Sequence, residues 1–120
     1  MFSLGQIALS SIAGAVAAAL IVILYARAHG VSVSAARGLA LRLGLLVGLS
    51  IVFWRAAANT PTLNDDPMPF VSPNDVLCPV VTYVVLGLYG ASTRDGRTTG
   101  WPAIQALLTL VSLVVNVVTI

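Results

Sequence analysis

Residues 7–25 read IALSSIAGAVAAALIVILY, a run without one charged side chain. As a helix rising ~1.5 Å per residue, such a run crosses a hydrocarbon core of ~30 Å. The uncharged stretch reaches from Phe2 to Ala26, which predicts a first transmembrane helix over about 4–26. Ala26-Arg27-Ala28 resembles a small-residue cleavage site. Signal peptides, however, begin with positive charge and carry only ~7–15 apolar residues. Met1-Phe2-Ser3 has no charge, so the expectation is a retained span.

The rest of the chain agrees with a lipid setting. Of 120 residues, 58% are hydrophobic and 8% charged, the charges being six Arg and four Asp. Mean hydropathy is +0.99. Soluble domains carry ~25% charged residues, and this chain has too little polar surface to coat a globule. Three further spans follow, over about 35–54, 73–91 and 101–120. Ser34 is the expected N-cap of the second, and Trp54-Arg55 closes it with an aromatic and a cation at the interface. Ser72-Pro73-Asn74-Asp75 has the form of a capping box with proline at the first helical position, so the third helix is expected to start there and kink at Pro79. Residues 56–72 form an acidic, proline-rich loop with Asp65-Asp66, Pro61, Pro67 and Pro69. The expectation is one all-α membrane domain over 1–120, its four helices packed as an up-down bundle.

Charge asymmetry predicts an orientation. Arg27, Arg37, Arg42, Arg94 and Arg97 against Asp95 give the first and third loops a net +4, while Arg55 against Asp65, Asp66 and Asp75 gives the second −2. Basic short loops stay inside. Both termini and the acidic loop are therefore expected outside.

The last helix carries a polar stripe, Gln105, Thr109, Ser112, Asn116 and Thr119, at helical spacing on one face. It is expected to face the other helices or a second copy of the chain, either as hydrogen-bonding glue or as the lining of a polar path. Small residues support close packing: Ser10, Gly14 and Ala18 in the first helix, and Gly44 and Gly48 as GxxxG in the second. No Asp or Glu stands at a span centre, which argues against ion-coupled transport. Arg42 reads as the only deep ionisable group, a side chain snorkelling to the basic side, with Asp95 as a partner contested by two neighbouring arginines. Tyr25, Trp54, Tyr89 and Trp101 fall near span ends as an aromatic belt, and the Tyr83 hydroxyl is expected on the polar stripe.

Simple counts exclude other classes. One cysteine, Cys78, forms no internal disulfide and reads as an inert thiol, and one histidine, His29, supplies no paired metal or haem ligands. With no nucleophile–base–acid set, neither an enzymatic activity nor a cofactor nor a specific small-molecule ligand is expected.

The charge set drawn only from Arg and Asp, the Val/Ala/Leu-rich spans and the acidic proline-rich loop resemble small membrane proteins of haloarchaea and their viruses. The four-span plan is similar to the internal membrane proteins of pleomorphic enveloped haloarchaeal viruses, which accompany a separate spike protein. That resemblance covers architecture along the whole chain and carries over no residue. It implies a structural envelope protein without enzymatic activity. Its basic loops would face the virion interior, where Arg27, Arg37, Arg94 and Arg97 make weak, salt-sensitive genome contacts. The expected function is thus a structural membrane protein assembling with itself or another membrane protein. The alternative is a pore-forming, transporter or holin-like subunit built on the stripe of the last helix.

Overall fold

The computed structural model describes residues 3–60, 71–98 and 100–119. Most of the acidic loop, including Asp65 and Asp66, lies outside the described residues. The first helix, α1 (Leu4–Ala28), is nucleated by a capping box: the Ser3 hydroxyl accepts from the Gln6 amide at 3.1 Å, and Gln6 Oε1 accepts from the Ser3 amide at 2.9 Å. It ends in a Schellman motif. Gly30 adopts φ +79°, Val31 N donates to the Ala26 carbonyl at 2.8 Å, and Gly30 N donates to that of Arg27 at 3.2 Å.

That tight ending leaves Ser32 as the next extended residue, and Ser32 rather than Ser34 caps α2 (Val33–Ala57), accepting from Ala35 N at 3.3 Å. The helix therefore starts two residues earlier than the sequence reading placed it and runs past Trp54 to Ala57. Helix α3 (Pro73–Ser92) starts at the expected capping box, with Ser72 Oγ accepting from Asp75 N and Asp75 Oδ2 from Ser72 N. It continues through Pro79, whose ring nitrogen cannot donate to the carbonyl one turn back. A 3-10 turn (Arg94–Arg97) leads into α4 (Trp101–Thr119), entered through Gly100 at φ +81°.

All four helices are long and apolar enough to cross a membrane, and their arrangement is consistent with an integral, multi-pass membrane protein. They pack in a ring, α1 against α2, α2 against α3, α3 against α4 and α4 back against α1, within a body of 44 × 23 × 23 Å. Large apolar side chains point outward on every helix, among them Leu24, Leu45, Phe53, Leu88 and Val118. Ser10, Ser50, Arg55, Asp75, Thr82, Ser112 and Asn116 are buried between the helices. A chain with this polarity has lipid as its outer solvent and uses its few polar groups where another helix can satisfy them.

The tightest seam joins α1 and α2. A Cβ on Gly44 would lie 2.7 Å from the Ala15 carbonyl oxygen, and one on Gly48 3.0 Å from the Ala15 Cβ. Ser11 Oγ donates to the Gly48 carbonyl at 2.7 Å. The GxxxG of α2 thus receives Ser11, Ala15 and Ala19. Ser10, Gly14 and Ala18, the small series expected to make close helix contacts, face the bundle axis, where Gly14 meets Ile51 and Val115 and Ser10 meets Thr119.

Candidate functional site

On α2 the innermost stripe is Leu43, Val47 and Ile51, each wholly buried. One more step of four residues along that face is Arg55. Because α2 continues beyond Trp54, Arg55 stays inside the bundle, its side chain 0% exposed, instead of emerging at the interface as expected. It meets Asp75 from the first turn of α3 (Nη2 to Oδ1, 2.5 Å) and Asn116 from α4 (Nε donating to Oδ1, 2.8 Å). Asp75 therefore has two duties: one oxygen pairs the guanidinium while the other caps α3 through Ser72 N at 2.8 Å. Arg42 is not the only deep ionisable group, and Arg55 is the more buried of the two.

From Asn116 a line of hydrogen bonds runs toward the bundle centre. Asn116 Nδ2 donates to the Ser112 carbonyl at 2.6 Å, Ser112 Oγ lies 2.9 Å from Thr82 Oγ1, and Thr82 Oγ1 lies 2.8 Å from Ser50 Oγ. Ser50 Oγ donates in turn to the Val47 carbonyl at 2.7 Å. Three helices are joined by this chain of side chains, and α1 is joined to α4 by the Thr119–Ser10 hydroxyl pair at 2.9 Å. Trp54 and Asn74 close the same end: Trp54 Nε1 donates to Asn74 Oδ1 at 3.1 Å, and Asn74 Nδ2 to the Ala58 carbonyl at 2.8 Å. Cys78 is fully buried beside this network, and its carbonyl accepts from Thr82 at 3.2 Å.

The other polar residues named from the sequence are placed differently. Gln105 Nε2 donates to the Tyr83 carbonyl at 3.0 Å and Thr109 to its own helix at Gln105. The Tyr83 ring itself points outward, half exposed, so its hydroxyl is not on the stripe. At the basic end Arg42 holds Asp95 with two bonds, Nε to Oδ2 at 2.8 Å and Nη2 to Oδ1 at 2.9 Å, and the Tyr89 hydroxyl donates to Oδ2. The Arg42 guanidinium holds the Asp95 carboxyl below the usual carboxylate range. Arg94 and Arg97, the expected competitors, have lost that contest. They, with Arg27 and Arg37, are exposed at this one end. Of the aromatics near span ends, Tyr25 stacks on His29 at 4.2 Å between ring centres and Trp101 is buried against Gly90.

What the sequence reading missed at the acidic end is the Arg55–Asp75–Asn116 cluster. Its signal was present: Arg55 continues the Leu43-Val47-Ile51 spacing, and Asp75 shares the inner face of α3 with Thr82 and Leu86. Among the described residues no group of His, Cys, Asp and Glu is assembled to hold a metal ion. Comparison with protein families, with characterised proteins and with solved structures gives no match.

Proposed function

We propose that this chain is a structural integral membrane protein of a cell or virion envelope, without enzymatic activity, which works by packing laterally with further copies or with another membrane protein. One observation carries this reading. The stripe of α4, which a pore would need for its lining, is spent inside a single chain: Gln105 on Tyr83, Thr109 on its own helix, Ser112 on Thr82, Asn116 on Arg55 and Thr119 on Ser10. The surface left for neighbours is apolar on all four helices. Crosslinking in native membranes is expected to trap oligomers or a membrane partner, and monomers alone would overturn the reading. The competing channel or transporter reading is separated by flux through liposomes. A structural protein conducts no solute, whether Gln105 and Asn116 are native or both replaced by Leu. Flux that the double substitution abolishes would establish a pore.

The orientation belongs to the same proposal. With all exposed arginines at one end, the basic loops are assigned to the cytoplasm or virion interior, where weak contact with a genome is available to them, and the termini and the acidic loop to the outside. Cys78 is buried, so it labels from neither side. Variants S32C and N64C are expected to react with a membrane-impermeant maleimide from opposite sides, N64C from outside. The reverse pattern would invert the assignment.

A further inference from the structure

Arg94 and Arg97 stand three residues apart in a 3-10 turn, a spacing that puts both side chains on one side of that turn. Both line an open, largely polar cavity of about 400 Å³ whose other walls are Gly90, Ala91, Ser92, Thr93 and Gly96. The turn is pressed onto the end of α3, since a Cβ on Gly96 would collide with the Gly90 backbone, so the backbone that carries both cations is fixed beside the helix end. The nearby carboxylate does not neutralise them. Asp95 spends Oδ1 on Arg42 and Oδ2 on Arg42 and Tyr89, and it lines a different cavity, with Tyr25, His29 and Leu39. Arg94 and Arg97 make no ion pair among the described residues.

The cavity lies at the turn between α3 and α4, where one candidate membrane span ends and the next begins. Without an ion pair among the described residues and at the end of two candidate spans, the two guanidinium groups stand at the depth expected of bilayer phosphates, which guanidinium binds through paired N–H donors. We infer that the Arg94–Arg97 cavity is a binding site for the phosphate of an anionic lipid headgroup, with the Ser92 hydroxyl in its wall as a further donor, the Thr93 hydroxyl being spent on the Tyr89 carbonyl at 2.8 Å. This inference rests on the membrane placement of the helices and not on their assembly, so lipid retention and crosslinking fail separately.

The test uses the full chain in neutral detergent, with short-chain phosphatidylglycerol or phosphatidylcholine added and retained lipid counted by native mass spectrometry. Phosphatidylglycerol is expected to be retained in preference. The double variant R94Q/R97Q should lower its affinity about thirty-fold, and each single variant about five-fold, from the gain per cation near an anionic surface. Both side chains are exposed, so the variants keep their fold, which thermal unfolding verifies. R27Q/R37Q removes equal charge from the neighbouring loop and should retain the lipid. Equal losses in the two double variants, or no preference between the lipids, would overturn the site. Displacement of the lipid by equimolar inorganic phosphate would make a free anion the ligand and overturn the lipid assignment.

Discussion

Among the described residues the two ends of the bundle each carry one Arg–Asp pair between α2 and the α3 side, and the pairs differ in almost everything but chemistry. Arg55 and Asp75 are 0% and 4% exposed, whereas Arg42 and Asp95 are 52% and 17% exposed. At the acidic end the charges were carried inside by helices that continue past the interface, and each is held by further hydrogen bonds to Asn116 and Ser72. At the basic end a loop residue reaches an arginine about nine residues into its helix, and the guanidinium is half exposed outside the bundle, free to snorkel toward the basic loops and water. Removing one member of a buried pair strands a charge in low dielectric, while removing one member of a wet pair returns the other to water. The acidic end should therefore behave as a clamp and the basic end as a trim.

The largest effect separating them is expected from R55M, which leaves Asp75 buried without its counter-charge. It should cost about 3–5 kcal/mol of stability, measured as unfolding in detergent. The double variant R55M/D75N removes both charges, keeps an oxygen to cap α3, and should recover most of the loss. If the single and double variants are equally unstable, the pair is not energetically isolated from water and the contrast between the ends collapses.

A middle effect comes from the hydroxyl line joined to the clamp. T82V removes the hydroxyl that lies between Ser50 and Ser112 at nearly constant volume. It should cost about 1–2 kcal/mol, the upper part of the range for hydrogen bonds between membrane helices, because two neighbouring hydroxyls lose a partner together. S50A alone should cost less, since Ser112 keeps Thr82. Cys78 reports the same region without added label sites: folded, its thiol should be inert to maleimide, and R55M should raise the labelling rate as that end opens.

How much of this could be read before the structure depended on whether residue type alone located a group. The four spans were legible because uncharged runs of this length have one physical solution in lipid. Gly44 and Gly48 marked a close-approach face through their small-residue spacing, but the partner of that face was not legible. Helix α1 is small on adjacent faces, Gly14, Ala15, Ala18 and Ala19 all lying in one stretch, so two registers satisfy the motif and only the fold selects Ser11, Ala15 and Ala19. Arg55 was misplaced because a tryptophan–arginine pair usually marks an interface, and that rule competed with the inner-face spacing of Leu43, Val47 and Ile51. Asp95 was undecidable from local charge, since Arg94 and Arg97 adjoin it in sequence while Arg42 reaches it with two parallel bonds in space.

The smallest effect should appear at the basic end and should carry its own signature. D95N is expected to cost about 0.2–1 kcal/mol, as solvent-exposed pairs do. Arg42 depresses the folded carboxyl, so the pair's contribution is complete above the pKa of an unpaired aspartate, ~3.9, and is lost as acid protonates Asp95 in the folded state. Stability of the native chain measured downward from pH 5 should therefore fall by an increment that D95N lacks. Salt near 1 M shortens the screening length to ~3 Å and should erase much of the D95N difference while leaving the R55M difference in place. An acid- and salt-insensitive D95N defect would mean that the loop closes over the pair and excludes water, making the two ends alike. The salt response thus tests directly whether exposure, rather than the identity of the paired residues, separates clamp from trim.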